Sequence, residues 1–397
     1  MKKTLAAVAV LSAFATSAFA AEVTIYGRVG TGFLLHDYES TKFDGVKTDA
    51  TDFSMDSGVT TTNRLGFKGS EKISEDLEVG FVLETKLLTD SGTAFAEGFD
   101  RESLIYAKTN YGNFYAGKVG AMWSDGGSTA FWAANYVAGG TGGGGYSVQG
   151  IGLMSSQMAR VSNRISYISP TFAGFTLYGE YSFGVGYTDP DDPEAKAKLY
   201  DEENSSYEDR PAAIGLKYAN GPFGAGMVLT YKNEATLKKG AAGAVDTYTD
   251  QEDEFTVNLG TNYNFGFANV KLAGQYFTGS DSIGNVTTLA KVADSSLPSF
   301  DDLKGYALVA GADIPAWGGT WTVSVAYTDA EDDASARTVN TDFMGFNVGA
   351  MYTYPLSKQT FIKAGAGYLK VEAERSNETH KAEYETIDAW VGLVQYF

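Results

Sequence analysis

Along residues 384–397, apolar and polar positions alternate with a period of two. Ile387, Ala389, Val391, Leu393, Gln395 and Phe397 fall on one side, Asp388, Gly392 and Tyr396 on the other, and Trp390 reads as a membrane-interface residue. Successive side chains of a strand point to opposite faces, so the pattern predicts a strand with one greasy and one wet face. Residues 320–329 repeat it, with Trp321, Val323, Val325 and Tyr327 against Thr322, Ser324, Ala326 and Thr328, and so do residues 253–263. Further strands are predicted near 22–34, 60–70, 76–88, 101–110, 112–118, 160–169, 172–183, 211–219, 223–233, 267–278, 304–313, 342–353 and 359–371. The total is about sixteen, an even number in the range of bacterial transmembrane barrels.

The connections alternate in length. Short turns at Ala219–Pro222, Asn264–Gly266, Pro315–Gly319 and Pro355–Lys358 separate hairpin partners, while long polar stretches occupy 35–59, 184–210, 234–252, 279–302, 329–341 and 372–383. Short turns at one end and long loops at the other are the asymmetry of an outer-membrane barrel. Tyr352, Tyr354, Phe361, Tyr368, Trp317 and Trp321 lie near strand ends, as interfacial girdles require. The predicted fold is all-β: one 16-stranded antiparallel transmembrane β-barrel over residues 21–397, with no second domain.

The N-terminus adds a compartment. Lys2 and Lys3, an apolar run from Leu5 to Phe14 and the small-residue site Ala18-Phe19-Ala20 make a secretory signal peptide with cleavage expected after Ala20. Its apolar core is too short to span a bilayer, and no later run approaches 18 apolar residues, so helical spans are not expected. The formal net charge of −19 becomes two units more negative without those lysines, which argues against nucleic acid as a partner. With no cysteine there is neither a disulfide scaffold nor a thiol nucleophile. Aromatic residues are plentiful, 25 Tyr and 24 Phe, yet mean hydropathy is −0.17, as expected where lipid-facing and lumen-facing residues cancel.

Specific local sequences resemble the trimeric general porins of Gram-negative bacteria, most closely the beta-proteobacterial branch. Val23-Thr24-Ile25-Tyr26-Gly27 is similar to that family's first strand. Asn63 through Glu71 and Asp76 through Phe81 resemble its second and third, and the run from Phe99 and Arg101 to Tyr111-Gly112-Asn113-Phe114-Tyr115-Ala116-Gly117-Lys118 resembles its fourth and fifth, with lysine where arginine is usual. Arg160 through Phe175 resembles the sixth and seventh, and Val391 through Phe397 ends on the family's terminal phenylalanine. The resemblance implies a homotrimer in contact with outer-membrane lipid and lipopolysaccharide. It further implies a constriction loop, about 119–159, folded into each lumen, and Phe397 as the signal read by the outer-membrane assembly machinery.

No catalytic constellation accompanies the barrel. His36 and His380 fall in or beside predicted outer loops and read as surface residues, and no HExxH, GxSxG or metal-spaced pair occurs. Neither cofactor nor metal site is expected, and the chain does not read as an enzyme. The glycine run Gly139–Gly145 lacks the Gly-Lys-Ser/Thr of a phosphate loop, and Asp189, Asp191, Asp192 and Glu194 lack the glycine and ligand spacing of a calcium loop.

The expected function is passive diffusion of small hydrophilic solutes and ions through a water-filled channel. The alternative is a substrate-specific porin for a class of anions or sugars, for which Trp123, Phe131, Trp132 and Tyr136 could supply an aromatic slide. Parity places Arg28, Arg64, Lys68, Arg160 and Arg164 opposite the apolar faces of their strands, hence in the lumen. Arg101 and Lys118 join them as pore-lining candidates, although their strands alternate poorly. The segment Val119–Ala159 holds one acid, Asp125, and no basic residue. A basic wall so thinly opposed predicts weak to moderate anion preference.

Overall fold

The computed structural model describes residues 23–59, 61–94, 98–138, 150–155, 159–184, 210–233, 235–238, 247–250, 252–300, 302–332 and 339–397. The expected presequence with Ala20, the glycine run Gly139–Gly145 and the acidic stretch Asp189–Asp209 lie outside the described residues.

Alternation becomes sheet almost everywhere it was read. The strands are β1 (Thr24–Thr41), β2 (Lys47–Ser57), β3 (Arg64–Ser74), β4 (Leu77–Lys86), β5 (Glu102–Thr109), β6 (Gly112–Gly120), β7 (Arg160–Ile168), β8 (Phe175–Ser182), β9 (Arg210–Asn220) and β10 (Phe223–Asn233). Beyond a two-stranded ribbon, β11 (Ala235–Lys238) with β12 (Thr247–Asp250), follow β13 (Glu254–Asn264), β14 (Asn269–Ser280), β15 (Leu303–Ala316), β16 (Gly319–Asp332), β17 (Thr341–Pro355), β18 (Thr360–Arg375) and β19 (Ala382–Tyr396). Apart from that ribbon, neighbours pair antiparallel around a ring that β19 closes on β1, from Arg28↔Tyr396 to Thr41↔Glu383. β2 lies against the upper half of β1 and β3 against its first residues, Thr24 to Arg28. They are two pieces of one interrupted strand, so the ring is a closed 16-stranded antiparallel barrel. Closure leaves no unpaired edge in lipid.

The stretch 35–59, read as an outer loop, is therefore mostly sheet. Phe33 and Leu35 continue the outward apolar face of β1 and meet Met55 and Phe53 across the register, with Phe33 and Phe53 stacked at 5.7 Å. Leu177, Ile214, Leu259, Leu308 and Ile387 are likewise outward and exposed, while Asn258, Gln275, Thr328 and Asn347 face inward and are buried. Trp390 departs from its expected interface position. It sits among Leu34, Val59 and Met351, on the inner side with Asp388 and Val394.

At the short-turn end the chain reverses tightly. The expected five-residue turn at 315–319 contracts to Trp317-Gly318, both at positive φ (53° and 81°), the geometry that matches hairpin twist. Trp317 packs edge-on against Trp321, which lies 5.0 Å from Tyr352. At the seam, Gly27 and Phe397 exchange two backbone hydrogen bonds of 3.1 Å. A Cβ on Gly27 would come within 2.7 Å of the Phe397 ring, so glycine provides the seat on which the terminal residue closes the barrel.

Candidate functional site

The lumen is narrowed by the segment following β6. Its base hangs from two buried carboxylates on the inner wall. Glu102 accepts the backbone N–H of Gly120 (3.0 Å) and Ser128 (2.7 Å) together with the Ser128 hydroxyl (3.0 Å). Glu180 accepts the Met122 N–H (3.3 Å) and the Thr129 hydroxyl (2.5 Å). Farther on, Ser155 reaches β13 and β14: its N–H donates to Gln275 (2.7 Å) and its hydroxyl to Glu254 (2.8 Å).

Between these anchors the segment runs over a track of inward glycines. The Tyr136 ring, on the short helix Trp132–Tyr136, covers Gly224, Gly226 and Gly260. Met122 and Phe131 lie over Gly215, Ala138 over Gly311, and Leu153 over Gly345. At Gly215, Gly226, Gly260, Gly311 and Gly345 a Cβ would collide with the segment or press on it, so glycine allows the close approach. The resulting core fixes the loop by apolar burial as well as by hydrogen bonds.

Opposite this packed side, cations gather. Arg28 donates from Nε to the Thr62 carbonyl (2.9 Å) and lies over the Tyr396 ring. Arg64 and Arg101 share Glu84, at 3.3 and 2.6 Å, and the Tyr26 hydroxyl donates to the same carboxylate (3.2 Å). Arg160 reaches Gly126 at the loop base and has Arg101, Glu84, Asp125 and Glu102 as its charged neighbours. Lys68 is exposed over the Tyr26 ring at 5.2 Å. Among the described residues Arg28, Lys68, Arg160 and Lys363 have no ion-pair partner, and Asp125 is exposed near Arg160.

Two expected wall residues are placed otherwise. Arg164 is inward but buried beneath the loop, its guanidinium 2.7 Å from Glu180 with both side chains nearly inaccessible, so its charge is spent on the anchor. The reason is Glu180, which pairs with Arg164 and holds the loop over it through Met122 and Thr129; beside it, Asn163 takes a positive φ of 50°, which breaks the alternation of β7. Lys118 lies across from Ser103, two residues from the outward Ile105, because Tyr115 and Val119 take the inner face of β6 and leave Phe114, Ala116 and Lys118 on the outer one. His36 is not a loop residue either. Carried by the extension of β1, its ring contacts Asp388 (2.6 Å) and the Tyr384 hydroxyl (2.9 Å) on the inner wall.

Sequence reasoning missed Lys363, Glu84, Glu102, Glu180 and the glycine track. Lys363 is inward on β18, 9% exposed, with Arg28 as its electrostatic neighbour. Its parity opposite Ile362 and Ala364 was available, and so were the glycines, each at a lumen-facing position of an otherwise regular strand. The loop aromatics pack rather than line: Trp123, Phe131, Trp132 and Tyr136 are all buried.

The sequence profile of the family described as Gram-negative porin matches residues 7–374. An outer membrane porin protein of Bordetella pertussis is 28% identical, covering 93% of this chain and 94% of that protein. Outer membrane porin protein 32 of Delftia acidovorans is 26% identical, over 93% and 90%. Among solved structures, the fold is similar to an anion-selective porin from Comamonas acidovorans, with TM-score 0.58 and 21% identity over 95% of this chain and all of that one. It is also similar to the trimer form of OmpT of Vibrio cholerae, with TM-score 0.59 and 15% identity over 94% and 99%.

Proposed function

The chain belongs to the Gram-negative porin family, and from that premise we propose that it is a passive channel of the bacterial outer membrane for small hydrophilic solutes and ions, with weak to moderate anion preference. The observation that carries the reading is the asymmetry of the lumen. A loop without basic residues is packed on one side, and Arg28, Arg160 and Lys363 stand on the other without ion-pair partners among the described residues. A channel of this strand number conducts water and solutes, and charges in its narrow part select among ions. Arg64 and Arg101 contribute less, since they divide the charge of Glu84 between them. The anion selectivity of the Comamonas porin and the trimer form of the Vibrio protein support the same preference and a homotrimer here.

The substrate-specific alternative for sugars loses its main support, because the aromatics that would form a slide are buried against the wall. Liposome swelling should therefore slow smoothly with solute size for neutral sugars. A rate that saturates with one sugar while others of equal size pass freely would instead establish a specific site.

Phe397 is proposed as the residue that the assembly machinery reads and that completes the seam. Deleting it removes the ring seated on Gly27 and the hydrogen-bond pair of 3.1 Å there. Outer-membrane yield is expected to fall, with unchanged unit conductance in the molecules that do assemble. Full yield with altered conductance would overturn the assignment.

A further inference from the structure

We propose that the helix Gly284–Ala293, carried by the outer loop between β14 and β15, is a second constriction element docked permanently inside the barrel, which sets the pore cross-section together with the loop after β6. The inference rests on the reading of the chain as a channel.

The sequence of this connection is polar enough to read as an outer loop, yet Ile283, Val286, Leu289, Ala290 and Ala293 are all buried. Their spacing puts them on one face of a helix, which needs an apolar surface to cover it. That surface lies within the ring. Val286 and the loop residue Leu153 both converge on Gly345, at 2.8 and 3.1 Å from where its Cβ would stand. Gly345 lies between Phe343 and Asn347, two buried residues of the inner face of β17. Helix, loop and wall therefore meet at one point of the lumen, in a core that also takes in Leu369, Val371 and Tyr384 from β18 and β19.

The far end of the helix is tied as well. Asp294 accepts the N–H of Phe43 (3.1 Å), in the turn between β1 and β2, and that of Ser296 (2.9 Å). Phe43 is itself buried, with the Arg375 guanidinium 5.1 Å from its ring centroid. Burial pushes the Asp294 carboxyl up, but the hydrogen bonds from Ser296 and Phe43 outweigh it and hold the group below the usual carboxylate range, so the tie stays ionised at neutral pH.

The other face of the helix carries exposed Thr288 and Val292, and Lys291 with its ammonium 5.1 Å from the Phe300 ring centroid. No carboxylate among the described residues pairs with Lys291. A helix with side chains is about 10–12 Å across, a large share of the interior of a sixteen-stranded barrel.

The test is single-channel recording on the full-length protein and three variants, each first checked for heat-modifiable mobility as evidence of a closed barrel. Replacing residues 282–299 with a short glycine–serine linker should raise conductance roughly two-fold, in proportion to the area released. Thr288→Trp should lower it. Val286→Cys with Gly345→Cys introduces the only two thiols in a cysteine-free chain, at positions where Cγ2 of Val286 stands 2.8 Å from where the Cβ of residue 345 would be. The bond should form and leave conductance as in the reduced form. If the linker variant does not assemble, the other two still decide. Unchanged conductance in both the linker and tryptophan variants overturns the inference. So does failure of the disulfide to form, or a fall in conductance on oxidation, which would mean the helix normally leaves its seat. A wild-type protein that does not conduct at all would sink the channel reading instead.

Discussion

Replacing Arg28, Arg160 and Lys363 together by serine should turn the channel from anion- to cation-preferring. Each of these charges acts on an ion passing about 6 Å away with roughly 0.7 kcal/mol even at the dielectric of water. Together they supply about 2 kcal/mol, more than a tenfold bias in partitioning at low salt. What remains after their removal is Glu84, Glu102 and Asp125 on the same side, set against Lys68 and against Arg64 and Arg101, which Glu84 already holds. Reversal potentials across a salt gradient measure the change directly. The shift should shrink toward 1 M salt, where the Debye length is about 3 Å and wall charges no longer reach the middle of the passage. Arg164→Ser combined with Glu180→Gln is the informative control, since it removes a buried ion pair that carries no net charge. Its selectivity should move much less than that of Arg28→Ser. Equal shifts in the two, or no shift in the triple variant, would remove the wall from the explanation.

Glu180→Ala should loosen the loop at its base and give a noisier, larger conductance. Glu180 holds Met122, Thr129 and Arg164 at once, and its removal leaves a buried guanidinium uncompensated, at a cost of about 3–5 kcal/mol. The barrel does not need that carboxylate, because closure depends on backbone pairing around the ring. The strain therefore falls on residues 121–129, and the burial of Tyr136 on its glycines keeps the remainder of the loop inside. Current fluctuations and protease cleavage between Gly120 and Thr129 should rise together. Removing Arg164 as well should restore part of the quiet behaviour, since no unpaired charge is then left buried. A single variant as quiet as the wild type would show that the carboxylate does not anchor the loop.

The barrel was legible in the sequence because its two solvents are written at every second residue. Ile387, Val391 and Leu393 must meet lipid, Asp388 must not, and no partner elsewhere in the chain is needed to settle that. The same parity identified Arg28, Arg64 and Lys68 as inward. It failed where the backbone leaves the regular pleat, at Asn163 with its positive φ, and where it was not followed, at Lys118. The strand pieces β2 and β3 escaped it because a six-residue interruption hides that they continue one another along β1.

The sequence by itself thus determined the fold class, the strand count and which residues face inward on regular strands, since lipid and water act on each strand separately. The tertiary structure decided which inward charges are free. Arg164 and Glu180 neutralise each other across β7 and β8, while Arg28 and Lys363, some 335 residues apart in the chain, come together only because β19 closes on β1. It likewise decided what fills the lumen: Tyr136 finds its glycines on β10 and β13, and the helix Gly284–Ala293 finds Gly345. Such pairings depend on shape and on distances between segments remote in sequence, and a period-two pattern carries neither.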